Sequence, residues 1–222
     1  SDIWFSSQTL KEDVLSSLTS KDERAREVVS KAKVIRPFFN VAEFPAGPKN
    51  VYQHDHFLIN TEGMTVPLAK DLMGFFASRR CPYRFVGPDE HLNSLKTEEK
   101  ERVFLGDRCG GELAPLLAAC KALIDVGESE QAFPQLALQC LSSGRPVIAL
   151  GDALRKEFLP LMGTYFLNSQ SFDWDSFYVE FERLVDEGKD FEPQKLHQLV
   201  KKFHQAGFIG ELERYTQGKR NY

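Results

Sequence analysis

The sequence has no long hydrophobic run and no long run of basic residues. Its longest apolar stretches, such as RPVIALG at positions 145–151, are far shorter than the roughly 20 residues that a membrane-spanning helix needs. Lysine and arginine are scattered and the formal net charge is -4, whereas a dedicated nucleic-acid-binding protein normally carries a basic stripe. We therefore expect no transmembrane segment and no nucleic-acid partner.

Cysteine is scarce. The 222-residue chain holds four cysteines, and no two of them form a C-x-x-C pair. This scarcity disfavours a disulfide framework and indicates a reduced, cytoplasmic setting. Structural zinc is disfavoured as well, because no cysteine has a second ligand at the usual spacing. His54 and His56 can share one face of a strand, but no third ligand is evident, so we expect no metal site.

Several catalytic motifs are also missing. The chain contains no G-x-S-x-G nucleophile elbow, no G-x-G-x-x-G fingerprint and no Walker A loop. Their absence disfavours an α/β-hydrolase, a dinucleotide-dependent oxidoreductase and a P-loop ATPase, respectively. The chain shows no signal peptide and begins with SDIWFSSQ rather than with methionine, so we expect a fragment of a longer protein.

From residue 51 onward, apolar strand patterns alternate with helical patterns. The predicted strands read HFLINT, YRFVGP, RVFLGD, LIDVGE, RPVIALG and TYFLN. Strands that alternate with helices of this length predict an α/β fold, a Rossmann-like parallel sheet with helices on both faces. We assign residues 51–222 to this domain and interpret residues 1–50, which include a proline-rich connector, as a linker-like segment.

Helical periodicity marks the segments between these strands. The predicted helices cover residues 9–32, 66–80, 111–122 and 133–144, and two more follow near the C-terminus. Gly144 is expected as the left-handed residue just past a helix end. Because ligands of such sheets bind beyond the carboxyl ends of the strands, the strand-to-helix loops are the candidate site. These loops are residues 60–66, 87–90, 106–111 and 127–134.

Residues 131–148 carry the most specific pattern, QAFPQLALQCLSSGRPVI. This pattern resembles the E-G-F-x-x-x-x-x-E-A-x-x-x-G-x-P-V-I segment of retaining glycosyltransferases of the GT-B fold (the glycosyl transferases group 1 type). In that family the segment belongs to the C-terminal half, which binds the nucleotide-sugar donor. The upstream stretches DIWFSSQTLKEDVL and KVIRPFFNVAEF resemble the family's inter-domain crossing. The chain departs from the family at both acidic positions, where Gln131 and Gln139 stand.

The resemblance implies the donor-binding domain of a glycosyltransferase. Such an enzyme transfers a sugar from a nucleotide-diphosphate sugar to a glycan or another acceptor, and surface polysaccharide biosynthesis is the expected setting. Residues 1–50 would be the inter-domain crossing, and the acceptor-binding N-terminal domain would lie upstream in the same chain or in a partner chain. We expect no cofactor besides the donor, an inactive fragment, and a cytoplasmic full-length protein, peripheral at the inner face of the membrane.

The resemblance also implies roles for the two glutamines. In the family, the first acidic residue contacts hydroxyls of the donor sugar, and the second accepts hydrogen bonds from the ribose. Gln131 and Gln139 can take these roles through their amide oxygens, with weaker bonds than carboxylates make. Neither amide stabilises positive charge at an oxocarbenium-like centre. Glu130 precedes Gln131, and a small loop shift would let it replace the first acid, so Glu130 and Gln131 are the predicted catalytic residues.

The donor diphosphate needs cations or N–H donors. The family usually offers an arginine and a lysine after the first strand, but here that loop reads NTEGMTVPLAKD, with Lys70 inside the predicted helix. A helix N-terminus binds phosphate through its free N–H groups. The predicted substrate-binding residues are Gln139, Ala132, Phe133, Pro134, Gly87, Arg108, Gly63 and Lys70. For Lys70, a solvated surface role is the alternative.

Two other functions stay open. The missing acidic pair fits a catalytically degenerate GT-B-like module that acts as a protein-interaction or scaffold domain. A different GT-B enzyme, such as a sugar-nucleotide epimerase, would need more acid–base residues in the cleft than the sequence offers.

Overall fold

A computed structural model of the protein describes residues 4–19, 22–34, 39–47, 56–104, 113–128, 133–187 and 192–201. The strands are β1 (Trp4–Phe5), β2 (Lys33–Val34), β3 (His56–Asn60), β4 (Tyr83–Gly87), β5 (Arg102–Phe104), β6 (Cys120–Asp125), β7 (Val147–Ala149) and β8 (Thr164–Phe166). The first two form a small parallel sheet of their own, and the other six form a larger sheet.

The helices lie mainly in the connections between the strands. They are α1 (Gln8–Ser17), α2 (Glu23–Lys31), α3 (Val66–Ser78), α4 (Asp89–Ser94), α5 (Leu113–Ala119), α6 (Gln135–Ser142), α7 (Ala153–Phe158), α8 (Trp174–Glu187) and α9 (Pro193–Val200). Short 3-10 helices cover Val41–Glu43 and Glu99–Glu101. Among the helices described here, none is long and apolar enough to cross a membrane.

The larger sheet is parallel throughout, with the order β5-β4-β3-β6-β7-β8. The two central strands, β3 and β6, pair Leu58 with Leu123 and Ile59 with Ile124. Parallel neighbours need crossover connections, which helices α3 to α7 supply. The predicted fold class, a Rossmann-like parallel sheet with flanking helices, is confirmed.

Two hydrophobic cores lie on opposite faces of this sheet. Successive strand residues point to opposite faces, so Leu58 packs in one core and Ile59 in the other, and Leu123 and Ile124 divide in the same way. Helices α5, α6 and α9 contribute to the first core, and α3, α4 and α8 contribute to the second. Burial on both faces explains why the strands are apolar without alternation.

Some predicted boundaries are wrong. The helix expected over residues 111–122 ends at Ala119, and β6 begins at Cys120 instead of residue 123. Cys120 pairs with His56 on β3, and this pairing outweighs the helical propensity of the local sequence. The helical pattern at 9–32 is two helices, because Leu18 is already extended at the C-cap of α1. Helices α4 and α7 were not expected.

Residues 4–47, which we call the N-terminal segment, contain regular elements. Strands β1 and β2 pair in parallel, and the Lys11 ammonium donates to the carbonyl oxygens of Ser30 and Ala32, each at 2.8 Å. Further along, Phe39 and Phe44 are buried in the first core. The predicted domain division at residue 50 stays a prediction.

The charged side chain of Arg145 is fully buried below the amino end of β7. Its Nε donates to the carbonyl oxygen of Ala118 at 3.0 Å, and burial lowers the pKa of the guanidinium. A Cβ on Gly47 would lie 2.7 Å from Nη2 of Arg145, and the Gly47 amide donates to the carbonyl oxygen of Ser143 at 2.9 Å. Arg145 therefore lies where α5, β7 and the N-terminal segment meet.

The end of α6 is a Schellman motif, as Gly144 led us to expect. The Gly144 amide donates to the carbonyl oxygen of Leu141, and the Arg145 amide donates to that of Cys140, at 3.0 and 3.1 Å. Gly144 has φ +77°, and a Cβ there would lie 2.3 Å from Cβ of Pro193, the first residue of α9. This glycine allows both the turn into β7 and the close approach of α9.

We predict opposite effects for two glycine-to-alanine substitutions. Gly144→Ala should lower the free energy of unfolding by about 2 kcal/mol or more, because alanine strains the left-handed backbone and clashes with α9. Gly74→Ala should raise it by about 0.5–1 kcal/mol, because Gly74 lies within α3 and a Cβ there meets nothing within 4 Å. Urea denaturation measures both. Equal effects would contradict the assigned geometry of Gly144.

Candidate functional site

The strand order reverses between β3 and β6. The chain builds outward from β3 through β4 to β5 on one side and from β6 through β7 to β8 on the other. The connections that leave β3 and β6 therefore diverge, and a crevice opens beyond the carboxyl ends of these strands, which is where open α/β sheets bind ligands. Here the crevice is a cavity of about 750 Å³.

The cavity is lined by several elements. Residues Asn60, Glu62, Asp125 and Glu128 come from the ends of the two central strands and the loops that follow them. The remaining lining residues are Thr9, Asp13, Phe133, Pro134, Gln135, Leu136, Leu150, Asp152, Ala153, Leu154, Arg155, Gln170 and Ser171. Residues distant in sequence therefore meet at one edge of the sheet.

A hydrogen bond joins the ends of the two central strands. Asn60 Nδ2 donates to Asp125 Oδ1 at 2.9 Å, and both residues are buried. Asn60 Oδ1 in turn accepts from the Glu62 amide at 3.2 Å, which fixes the start of the loop after β3. The pair sets the position of the Asp125 carboxylate at the floor of the cavity. A polar residue at the end of each buried strand indicated this pair in the sequence. Of the two residues, only Asn60 belongs to one of the candidate loops, that of residues 60–66.

Arg155 on α7 holds one wall of the cavity. Its guanidinium contacts Asp152 Oδ2 at 2.9 Å through Nη1 and donates to the carbonyl oxygen of Gly127 at 2.6 Å through Nη2. Asp152 also caps α7, because Oδ1 accepts from the Arg155 amide at 2.7 Å. These bonds attach α7 to the loop after β6. The sequence pattern did not predict these bonds, because α7 was not expected.

The charge lining the cavity is strongly negative. Five of the described lining residues are carboxylates and one is an arginine. They are Asp13, Glu62, Asp125, Glu128, Asp152 and Arg155. Carboxylates are hydrogen-bond acceptors only, so this lining suits hydroxyl groups better than it suits phosphate oxygens.

Two of the predicted substrate-binding residues, Phe133 and Pro134, line the cavity beside the start of α6. Pro134 is the N-cap residue of that helix, and the Phe133 ring packs edge-to-face on Phe158, with ring centroids 5.2 Å apart. Gln135 and Leu136, the first residues of α6, line the cavity as well. The helix start therefore faces the cavity, as the phosphate-binding hypothesis requires, while the contacts themselves stay a prediction.

Gln139 lies deeper in α6. It is buried and falls outside the cavity lining, but it lies four residues after Gln135 and three after Leu136, on the same helix face. Its predicted contact with a ribose stays a prediction. Glu130, Gln131, Ala132 and Arg108 lie outside the described residues, so their predicted roles stay predictions too.

The other predicted contacts lie away from the cavity lining. Gly63 has φ +68° in the turn after β3, where the Met64 amide donates to the carbonyl oxygen of Thr61 at 3.1 Å. A Cβ on Gly87 would lie 1.9 Å from Thr61 Oγ1, so this glycine permits close packing at the end of β4. Lys70 is an exposed residue of α3. The structure thus gives both glycines a backbone role, and substrate contact by these three residues stays a prediction.

In the part of the chain that the structure describes, no group of three or more His, Cys, Asp or Glu side chains is arranged to hold a metal ion.

Comparison with known proteins identifies the fold. No protein-family model and no curated protein matches the chain. HepE from Anabaena, solved with UDP and glucose, is 13% identical, and the match covers 98% of this chain and 63% of HepE, with a TM-score of 0.65. A glycosyltransferase from Rickettsia africae is 11% identical, and the match covers 100% of this chain and 64% of that protein, with a TM-score of 0.69. The lipopolysaccharide outer core galactosyltransferase WaaB is 14% identical, and the match covers 99% of this chain and 62% of WaaB, with a TM-score of 0.63.

These structures are GT-B glycosyltransferases, and the chain shares their fold. The resemblance drawn from the sequence is therefore confirmed at the level of the fold. The chain spans less than two thirds of each of these three proteins.

We predict that Asn60→Ala destabilises the protein. The substitution removes the donor that the buried Asp125 carboxylate accepts from, and such an unsatisfied group costs about 1–3 kcal/mol. Asn168→Ala is the matched control, because the Asn168 side chain is exposed, its bond to Ser176 runs through the backbone amide, and surface substitutions usually change stability by less than about 0.5 kcal/mol. Urea denaturation compares the two. Equal stability of both variants would rule out a structural role for the Asn60–Asp125 bond.

Proposed function

We propose that the chain is the donor-binding part of a glycosyltransferase and that its cavity binds a nucleotide-diphosphate sugar. The observation that carries this proposal is the position of the cavity, beyond the carboxyl ends of β3 and β6 where the strand order reverses. A volume of about 750 Å³ fits a ligand of nucleotide-sugar size. HepE, whose fold the chain shares, was solved with UDP-glucose, which supports UDP-glucose as the first donor to test.

The carboxylates suit the hydroxyl-rich parts of such a donor. A ribose and a hexose together offer several O–H donors, and bonds from hydroxyls to carboxylates are charge-assisted. Asp125, held in place by Asn60, is the best-positioned acceptor, because its geometry does not depend on the ligand. The charge of Asp152 is partly neutralised by Arg155, so Asp152 can accept a hydrogen bond from a ligand hydroxyl while repelling the diphosphate less.

The diphosphate is the demanding part of the ligand. Among the described lining residues, Arg155 is the single cation, and it is already engaged by Asp152 and Gly127. We propose that backbone N–H groups at the start of α6 face the phosphates, because a helix N-terminus carries partial positive charge. Arg108 would add a cation from the loop after β5. Glu62 opposes binding, because it places negative charge in the loop where related enzymes usually offer an arginine.

Transfer itself needs negative charge near the anomeric carbon. The transition state is oxocarbenium-like in this class of reaction, and a preorganised carboxylate stabilises the charge that develops there. The amide of Gln131 does not supply such charge. We propose that a carboxylate of the loop after β6 does so, with Glu130 as the candidate and Glu128, which lines the cavity, as its neighbour.

The acceptor would bind to a second domain. Strands β1 and β2 form a two-stranded parallel sheet among the described residues. Parallel sheets are normally larger and buried on both faces, so this pair fits the edge of a larger sheet that belongs to the acceptor-binding domain. Transfer to a glycan, a role in surface polysaccharide biosynthesis and a cytoplasmic, membrane-peripheral location belong to the same proposal.

We predict that a UDP-sugar raises the melting temperature of the protein. A ligand that binds only the folded state stabilises it by about 2.7 kcal/mol at one hundred times its dissociation constant. The measurement is a thermal-shift titration with UDP, GDP, ADP and dTDP sugars. Asp125→Asn should weaken the response, and Glu182→Gln, an exposed carboxylate of α8, should leave it unchanged. A stable wild-type protein that responds to no nucleotide would contradict the proposal.

We predict further that Glu62→Gln tightens nucleotide binding. The substitution removes a negative charge from the loop after β3, so the repulsion of the diphosphate decreases and the dissociation constant should fall about threefold or more at low salt. The gain should shrink at high ionic strength, whereas the control Glu182→Gln should show neither effect. Isothermal titration calorimetry measures the affinities. Weaker binding by Glu62→Gln would mean that Glu62 contacts a hydroxyl of the ligand rather than opposing its phosphates.

Two observations favour a second function. The negative lining and the two glutamines at the family's acidic positions fit a degenerate module that binds a partner protein and no donor. The two functions differ in their response to nucleotides, because a degenerate module would fold stably and still show no shift with any nucleotide sugar.

A further inference from the structure

The Glu157 carboxylate joins two elements that lie far apart in the sequence. On α7, its Oε1 accepts from the Gln8 amide at 2.8 Å, and its Oε2 accepts from the Thr9 amide at 2.9 Å and from Thr9 Oγ1 at 2.6 Å. Gln8 and Thr9 are the first two residues of α1. Glu157 therefore connects the start of α1 to the large sheet through three hydrogen bonds.

These bonds meet a specific need of α1. The first amides of any helix lack partners within the helix. Ser7 Oγ accepts from the Leu10 amide at 3.0 Å, so Ser7 satisfies the third amide, while Glu157 accepts from the first two. Its negative charge also interacts favourably with the positive end of the helix dipole.

The position of α1 matters for the cavity. Thr9 and Asp13 line the cavity, and they lie four residues apart on one face of α1. On the other side of the contact, Arg155 fixes α7 to the carbonyl oxygen of Gly127 after β6. Hydrogen bonds therefore link the loop after β6 to α7 through Arg155, α7 to α1 through Glu157, and α1 to the end of α2 through Lys11.

We propose that Glu157 is a positioning residue that docks α1 against α7, so that Thr9 and Asp13 complete the wall of the ligand cavity. Docking of the N-terminal segment and ligand binding are then coupled. A ligand that contacts the completed wall binds the docked state more tightly, and by linkage it strengthens docking by the same factor. This inference rests on the proposed function, because the ligand is taken to be a nucleotide sugar.

Amide hydrogen exchange tests the docking contact without any ligand. In the full 222-residue chain, Glu157→Ala should speed exchange at the Gln8 and Thr9 amides by roughly tenfold or more, because local protection depends on the contact that is lost. The Leu10 amide should change less, since its partner Ser7 lies next to α1. Glu182→Ala is the control. Unchanged exchange at Gln8 and Thr9 in Glu157→Ala would overturn the docking role, whatever the ligand.

A second measurement tests the coupling. UDP-glucose should slow exchange at the Gln8 and Thr9 amides in the wild type, and Glu157→Ala should weaken its binding about tenfold, which corresponds to the loss of one charge-assisted bond. Glu157→Gln should bind UDP-glucose more tightly than Glu157→Ala and less tightly than the wild type, because its amide oxygen still accepts a hydrogen bond. A general structural defect would not produce this order of affinities.

The outcomes separate the two proposals. Equal affinity of the wild type and Glu157→Ala for UDP-glucose would overturn the coupling while leaving the proposed function intact. Failure of the wild type to bind any nucleotide sugar would overturn the proposed function and the coupling together. The exchange measured without ligand would still decide whether Glu157 docks α1.

Discussion

Strands β3 and β6 pair with each other at the centre of the sheet and are buried on both faces, and the rest of the site takes its position from this pair. Because Ile59 pairs with Ile124, Asn60 and Asp125 lie side by side at the carboxyl ends of these strands and form a hydrogen bond of 2.9 Å. Because the strand order reverses there, the loops that follow diverge, and the cavity lies between them. At the same edge of the sheet, Arg155 bonds α7 to the loop after β6, and Glu157 bonds α7 to α1.

The layered architecture could be predicted from the sequence, whereas the elements that form the wall of the cavity could not. Apolar strands such as HFLIN, separated by helical patterns, predict a parallel sheet because that pattern has few other stable solutions. The Schellman turn at Gly144 was also predictable, since glycine is the usual residue in that conformation. Helix α7 was not predictable, because its six residues give too little periodicity to recognise.

Long-range polar contacts explain most of what the sequence could not reveal. Glu157 and Thr9 are 148 residues apart, and nothing in the local pattern of either residue signals the other. Arg145 likewise stands in a short turn, where a solvated arginine is the usual expectation, yet it is fully buried against Ala118. Cys120 is a further case of a long-range contact, because its pairing with His56 on β3 makes a strand of residues whose local pattern predicts a helix.

The cavity combines the position at which open α/β sheets bind ligands with a negatively charged lining. Its place in the fold agrees with that of nucleotide-binding sheets in general, while its carboxylates favour hydroxyl groups over phosphates. A nucleotide sugar offers both kinds of group, so affinity depends on whether the hydroxyl contacts and the start of α6 outweigh the repulsion from Glu62. That balance, rather than the fold, distinguishes a donor site from a degenerate module.

The most direct test of this account is an NMR titration of the isotopically labelled chain with UDP-glucose. Saturable shifts centred on the amides of Asn60, Asp125 and Gln135 are the predicted result, since these residues lie at the floor and rim of the cavity. Shifts confined to another surface, or a well-folded protein whose spectrum does not change with the nucleotide sugar, would contradict it.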